Sequence, residues 1–141
     1  MLRIFVVSLF MFVSAFGAQA DGISPVEKTE FQRIISAQIQ AFRADDGNAA
    51  YGFAAPLVKQ AFPSVDMFMG MVKQGYPQVY RPQSFAFVDA ALDPVGRPTQ
   101  KVSIVGPDGK SYLATYTMQK QEDGTWRIAG CTLSEIPGVD A

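Results

Sequence analysis

The residues whose types and spacing could do chemistry lie mostly in the second half of the chain. Phe85, Phe87 and Asp89 alternate, as do Tyr112, Ala114, Tyr116 and Met118. Alternate residues of a strand share one face, so this spacing could set a carboxylate among aromatic rings. A carboxyl group in apolar surroundings holds its proton to higher pH than in water, as a general base or acid working near neutrality requires. Tyr80, Tyr112 or Tyr116 could then donate a hydroxyl. The plainer reading of Asp89 is a solvated carboxylate, because Ala90-Ala91 places it near a strand end. A second arrangement needs no catalysis. Phe87, Tyr112, Tyr116 and Trp126 on inward faces would line a pocket for a small apolar ligand. A closed aromatic core is the alternative.

What the chain lacks narrows the chemistry. It has no histidine, which removes Ser-His and Cys-His nucleophile pairs and imidazole metal sites. Met67, Met69 and Met71 carry thioethers that can hold copper(I), but only Met67 and Met71 share a helix face, and core packing is the expectation. Cys131 is the single cysteine. It allows no internal disulfide, leaves an intermolecular one open, and otherwise reads as a small buried hydrophobe. Neither a metal nor a cofactor is expected. Twelve Lys and Arg oppose thirteen Asp and Glu across 141 residues. That balance offers no concentrated basic face for nucleic acid.

The elements that must position these residues are legible from punctuation and period. Ser24-Pro25-Val26-Glu27 is a capping box with proline at the first helical position. Phe31, Ile34, Ile35, Ile39 and Phe42 follow at helical spacing, and Gln38 is the one polar member of their stripe. Gln38 could reach a pocket or bond a nearby backbone group. A short helix is expected from about Asp46 to Ala54, a helical turn from Pro56 to Phe62, and another helix from a Ser64 cap to Gln74. Strands are expected at Gln83–Leu92, Gln100–Val105, Ser111–Gln119 and Thr125–Leu133, with a short one at Val79–Pro82. Asp108-Gly109 and Asp123-Gly124 are hairpin dipeptides. Without βαβ alternation the class is α+β. Leu113, Thr115 and Thr117 would form an outer sheet face, either solvated or pairing two copies as a homodimer.

The first twenty residues read differently. Arg3, an apolar run over Ile4–Phe16, and Ala18-Gln19-Ala20 have the order of a cleavable signal peptide. The run is short of the roughly 20 residues that a spanning helix needs. The expectation is a signal peptide at 1–20, a single domain at 21–141, a periplasmic or secreted location after cleavage near Ala20, and no membrane span thereafter. Without Arg3, 11 basic side chains face 13 acidic ones.

The order of the pieces resembles a known family. Gln38-Ile39-Gln40-Ala41-Phe42 is followed by Asp46, Phe53-Ala54-Ala55-Pro56, Phe68, Met71-Val72 and Tyr76-Pro77-Gln78-Val79, and the chain closes on Trp126-Arg127-Ile128-Ala129-Gly130-Cys131. This is similar to a bacterial secreted family known as domain-of-unknown-function family 4864, within the nuclear-transport-factor-2-like superfamily. The resemblance implies three N-terminal helices, then a curved four-stranded antiparallel meander that wraps the long first helix into a cone. It implies no activity, because that superfamily holds isomerases, dehydratases and binding modules alike. Two function classes follow. The first is an exported, non-enzymatic domain that binds a small apolar molecule or a protein partner. The second is a small isomerase or lyase using Asp89 and tyrosine hydroxyls.

Overall fold

The computed structural model describes residues 22–137, so the expected signal peptide lies outside the described residues. The order is α1 (Pro25–Arg43), α2 (Gly47–Gly52), α3 (Pro56–Ala61), α4 (Val65–Gly75), α5 (Pro77–Tyr80), then β1 (Ser84–Leu92), β2 (Pro98–Val105), β3 (Ser111–Lys120) and β4 (Trp126–Glu135). The four strands form one antiparallel sheet in the order β1-β2-β3-β4. The fold is α+β.

The caps behave as their residue types dictate. Ser24 Oγ accepts from Glu27 N at 3.1 Å, and Glu27 Oε1 accepts from Ser24 N at 3.1 Å. Both bonds satisfy amides that the first turn leaves without partners. Asp46 caps α2, and Ser64 caps α4. Gly109 and Gly124 take φ of +80° and +85°, the left-handed region that the two hairpins need and that costs glycine nothing.

The stripe on α1 is the centre of the core. Phe31, Ile34, Ile35, Gln38, Ile39 and Phe42 are all buried. They meet Val102 and Ile104 of β2, Tyr112, Ala114, Tyr116 and Met118 of β3, and Ile128 of β4. The Phe31 ring stands edge-on to Trp126 with centroids 4.8 Å apart. The chain leaves α1 through Asp45, the one non-glycine residue with positive φ among the described residues. Aspartate tolerates that conformation better than most residues. Its carboxylate accepts from the Tyr80 hydroxyl and from Arg81 at 2.9 Å. These bonds tie the end of α1 to α5 and hold the Asp45 carboxyl below its usual range, the Tyr80 bond contributing most.

Two expectations need correction. The helical half holds five segments among the described residues rather than three, because Pro56 and Pro77 each start a short helix of their own. Val79–Pro82 is not a strand: Pro77 begins α5, Tyr76 O accepts from Val79 N and Tyr80 N at 3.0 Å, and Val79 enters the core. A proline with φ near −65° is already set for the first helical position.

Two β-bulges decide which side chains face inward. On β1, Phe87 pairs with Val102 but Ala90 with Gln100, so β1 carries one extra residue. On β4, Thr117 pairs with Gly130 but Met118 with Ile128, so Ala129 has no partner. An extra residue exchanges the faces beyond it. The β1 bulge is held by Gln100, fully buried, whose Nε2 donates to Asp89 O at 3.2 Å and to Lys101 O at 2.9 Å.

Candidate functional site

The free outer edge of β4 receives the loop between α2 and α3. Ile128 N donates to Phe53 O at 2.8 Å, and Ala55 N donates to Ile128 O at 2.8 Å. This parallel bridge covers part of an edge that would otherwise present unpaired amides. It also fixes where Pro56 starts α3. The helix is short and buries none of its own residues. Its far end is fastened by the Tyr51 hydroxyl, which donates to Phe62 O at 2.6 Å.

A cavity of about 430 Å³ is left beneath α3. Gln38 and Phe42 of α1 form its floor. Phe68, Met71 and Val72 of α4 form one wall. Tyr116 and the Ile128–Cys131 stretch form the opposite one, and Leu57, Val58 and Ala61 of α3 form the rim. It is partly open, and Leu57 is 67% exposed at the mouth. Among the described residues, no Asp, Glu, Lys or Arg lines it.

The cavity exists because elements of different thickness meet over one sheet. The stripe of α1 fills the space above β2 and β3. Beyond it the roof is a short helix of Leu, Val and Ala on a proline-bounded loop, which cannot reach down to fill the gap. The cavity's volume falls in the range of small-molecule sites.

Polar groups are few there, and each has a definite state. Gln38 Nε2 donates to Ala50 O at 3.1 Å, the backbone bond that its place on the stripe suggested, and the side chain also lines the cavity. The Tyr116 hydroxyl is fully buried without a hydrogen-bond partner of ordinary geometry. Burial holds it far above the ordinary phenol value, and the Cys131 thiol across the β3–β4 pair adds to the effect. Cys131 is half-buried, yet burial pushes its thiol up to about 12, and Tyr116 opposes that only in part. A thiol held so far toward its protonated form is a poor nucleophile.

The structure separates the sequence-derived candidates. Of Phe87, Tyr112, Tyr116 and Trp126, only Tyr116 lines the cavity. Phe87 packs edge-on against Phe85 at 5.9 Å. Tyr112 is buried, but its hydroxyl donates to Asp108 at 2.6 Å. Trp126 is spent on Phe31. Asp89 is exposed and does not line the cavity. The β1 bulge hands its inward position to Ala90 and turns Asp89 outward with Val88. The inward alternation of Phe85, Phe87 and Asp89 is thereby corrected, and no carboxylate stands among the rings. On β4 the bulge likewise parts Gly130 from the face of Trp126 and Ile128 and brings Cys131 to the Tyr116 side. The methionines diverge: Met67 is exposed, Met69 is buried, and Met71 lines the cavity. Among the described residues no cluster of His, Cys, Asp or Glu could hold a metal.

Sequence reasoning missed Leu57, Val58, Phe62, Phe68, Met71 and Cys131 as lining residues. The first three follow a helix-initiating proline and carry apolar side chains on a segment too short to bury them, which was the available signal. No helix among the described residues is long and apolar enough to cross a membrane.

A family model described as "Domain of unknown function (DUF4864)" matches residues 25–141, and the chain belongs to that family. No curated protein and no solved structure matches it.

Proposed function

We propose that this family member is a binding domain that takes a small, largely apolar molecule into the cavity beneath α3. The cavity itself carries the reading. It is about 430 Å³, apolar on its walls, open at one side, and free of any charged lining residue among those described. Burying an apolar ligand there gains roughly 25 cal/mol for each Å² removed from water, and Gln38 offers the polar contact that would orient it. Acid–base catalysis has less support, since the lining holds no carboxylate among the described residues and the chain has no histidine.

A neutral naphthylamine fluorophore, dark in water and bright in apolar surroundings, tests this. The protein gives saturable fluorescence with one site per chain, and Ala61→Trp abolishes it by filling the mouth from an exposed rim position. The unchanged Tm of that variant shows that the fold survives. Equal binding by Ala61→Trp, or no saturable binding by the unaltered protein, rejects the cavity as a ligand site.

The same reading places the domain in the nuclear-transport-factor-2-like superfamily, on the order of helices followed by an antiparallel meander and on the pocket between them. It places the domain outside the cytoplasm, on the Arg3, Ile4–Phe16 and Ala18-Gln19-Ala20 pattern. N-terminal sequencing of protein recovered from the periplasm or medium then begins at Asp21. Recovery from the cytoplasm alone, with Met1 retained, refutes export.

A further inference from the structure

The other face of α3 borders a second cleft. Helix positions three and four apart share a face, so Leu57, Val58 and Ala61 look toward the apolar cavity while Pro56, Lys59 and Gln60 look away. With Tyr51, Ala54, Pro63, Gln121 and Arg127, the latter three line this cleft. It brings together two cations from distant parts of the chain and, among the described residues, contains no carboxylate.

Both cations are held in place, and neither is neutralised by an ion pair among the described residues. Lys59 Nζ lies 5.2 Å from the centre of the Tyr51 ring, a cation–π contact that directs the ammonium group. Arg127 Nη1 donates to Gly52 O, which fixes the guanidinium and leaves its other N–H groups free. The carboxylate that feels Arg127 is Asp123, in the β3–β4 turn, and it is occupied by Thr125 N at 2.9 Å and Thr125 Oγ1 at 2.6 Å. Partial burial, with Arg127 second, disfavours the charge on Lys59. Two like charges sharing one cleft repel, and an anion between them would relieve both.

We infer that this cleft binds an oxyanion group, a carboxylate or a phosphate, between Lys59 and Arg127, with the Gln60 amide as a neighbouring donor. A planar guanidinium and a pointlike ammonium together suit an oxyanion, the first by a fork of N–H bonds and the second by charge. The site stands independently of the apolar cavity, because the opposite face of α3 forms it.

The test is an NMR titration of the full domain with inorganic phosphate and, separately, acetate, using sodium chloride at equal ionic strength as the control. The Lys59 Cε and Arg127 Nε signals shift saturably with one or both anions and not with chloride. The Lys59 pKa rises as the anion binds, since the anion favours the charged amine. Lys59→Met weakens binding about tenfold or more, the loss of a charged hydrogen bond. Ala61→Trp, on the other face of α3, leaves it unchanged. Response to phosphate alone or to acetate alone supports the site and identifies its ligand group. The proposal is overturned by an absence of saturable shifts with both anions, or by equal affinity in Lys59→Met. It is also overturned if vesicles of anionic phospholipid bind while neither free anion does, since a membrane surface would then be the ligand.

Discussion

Phe31→Ala lowers the free energy of unfolding by about 3–5 kcal/mol. Phe31 is fully buried at the N-terminal end of the α1 stripe and stands edge-on to Trp126 at 4.8 Å. Truncation removes the burial of a whole ring, leaves a void that close-packed neighbours fill only in part, and forfeits an aromatic contact itself worth about 1 kcal/mol. The domain has no disulfide to hold α1 on the sheet, since Cys131 is its single cysteine. In urea the midpoint falls with little change in slope, and Tm drops by about 10 °C or more. Val26→Ala on the same helix is the control. Val26 is 79% exposed, and its truncation stays within about 0.5 kcal/mol. A loss for Phe31→Ala as small as that of Val26→Ala would show that α1 does not close the core.

Stability also falls steeply in alkali, through Tyr116 and Cys131 together. The folded chain holds the Cys131 proton up to about 12, against 9.0 for a free thiol. The Tyr116 hydroxyl is displaced in the same direction from 10.0. For both groups the unfolded chain releases its proton first. Their contribution is fully present below about pH 9 and is lost as pH rises toward the folded values. For Cys131 the loss across that window is at most on the order of 4 kcal/mol. Urea midpoints measured from about pH 8 to about pH 11 should therefore fall progressively. Cys131→Ala removes the part that begins near the thiol's ordinary value, and Tyr116→Phe removes the part that begins near the phenol's. Tyr116→Phe costs little at neutral pH, because the hydroxyl it deletes has no ordinary partner. Coincident profiles for the two variants and the unaltered protein would mean that neither group is shielded from water. The same measurement bears on the cavity, since a ligand covering the half-buried Cys131 would deepen the alkaline loss.

The two clefts lie on opposite faces of α3, despite its small size. It buries nothing of its own, yet one face rims the apolar cavity and the other carries Lys59. Pro56 and the Ala54–Ile128 bridge fix one end, and the Tyr51 hydroxyl fixes the other. An apolar group in one cleft and an oxyanion in the other would press on the same helix from opposite sides.

What the sequence determined by itself was whatever depends on neighbours along the chain. Ser24, Asp46 and Ser64 cap helices because a short oxygen-bearing side chain meets an amide a few residues on. Asp108-Gly109 and Asp123-Gly124 close hairpins because glycine alone enters the left-handed region freely. The α1 stripe and the β3 alternation of Tyr112, Ala114, Tyr116 and Met118 came through unaltered, since each follows from one period of an uninterrupted element. Helices first and an antiparallel meander after them follow from the order of those signals. The site depended on contacts between distant segments. A bulge is a mismatch between two strands and leaves little mark on either: the proximity of a strand end suggested a solvated Asp89 and the residue type a buried Cys131, but neither showed that bulges would set Asp89 off the face of Phe87 or Cys131 opposite Tyr116. The cavity is where a short proline-bounded helix, hung on the edge of β4, fails to reach a sheet already occupied by α1. Lys59 and Arg127 meet because that same bridge brings residue 54 to residue 128. No periodicity encodes an unfilled space or a meeting of charges nearly seventy residues apart; both appear only when the elements pack.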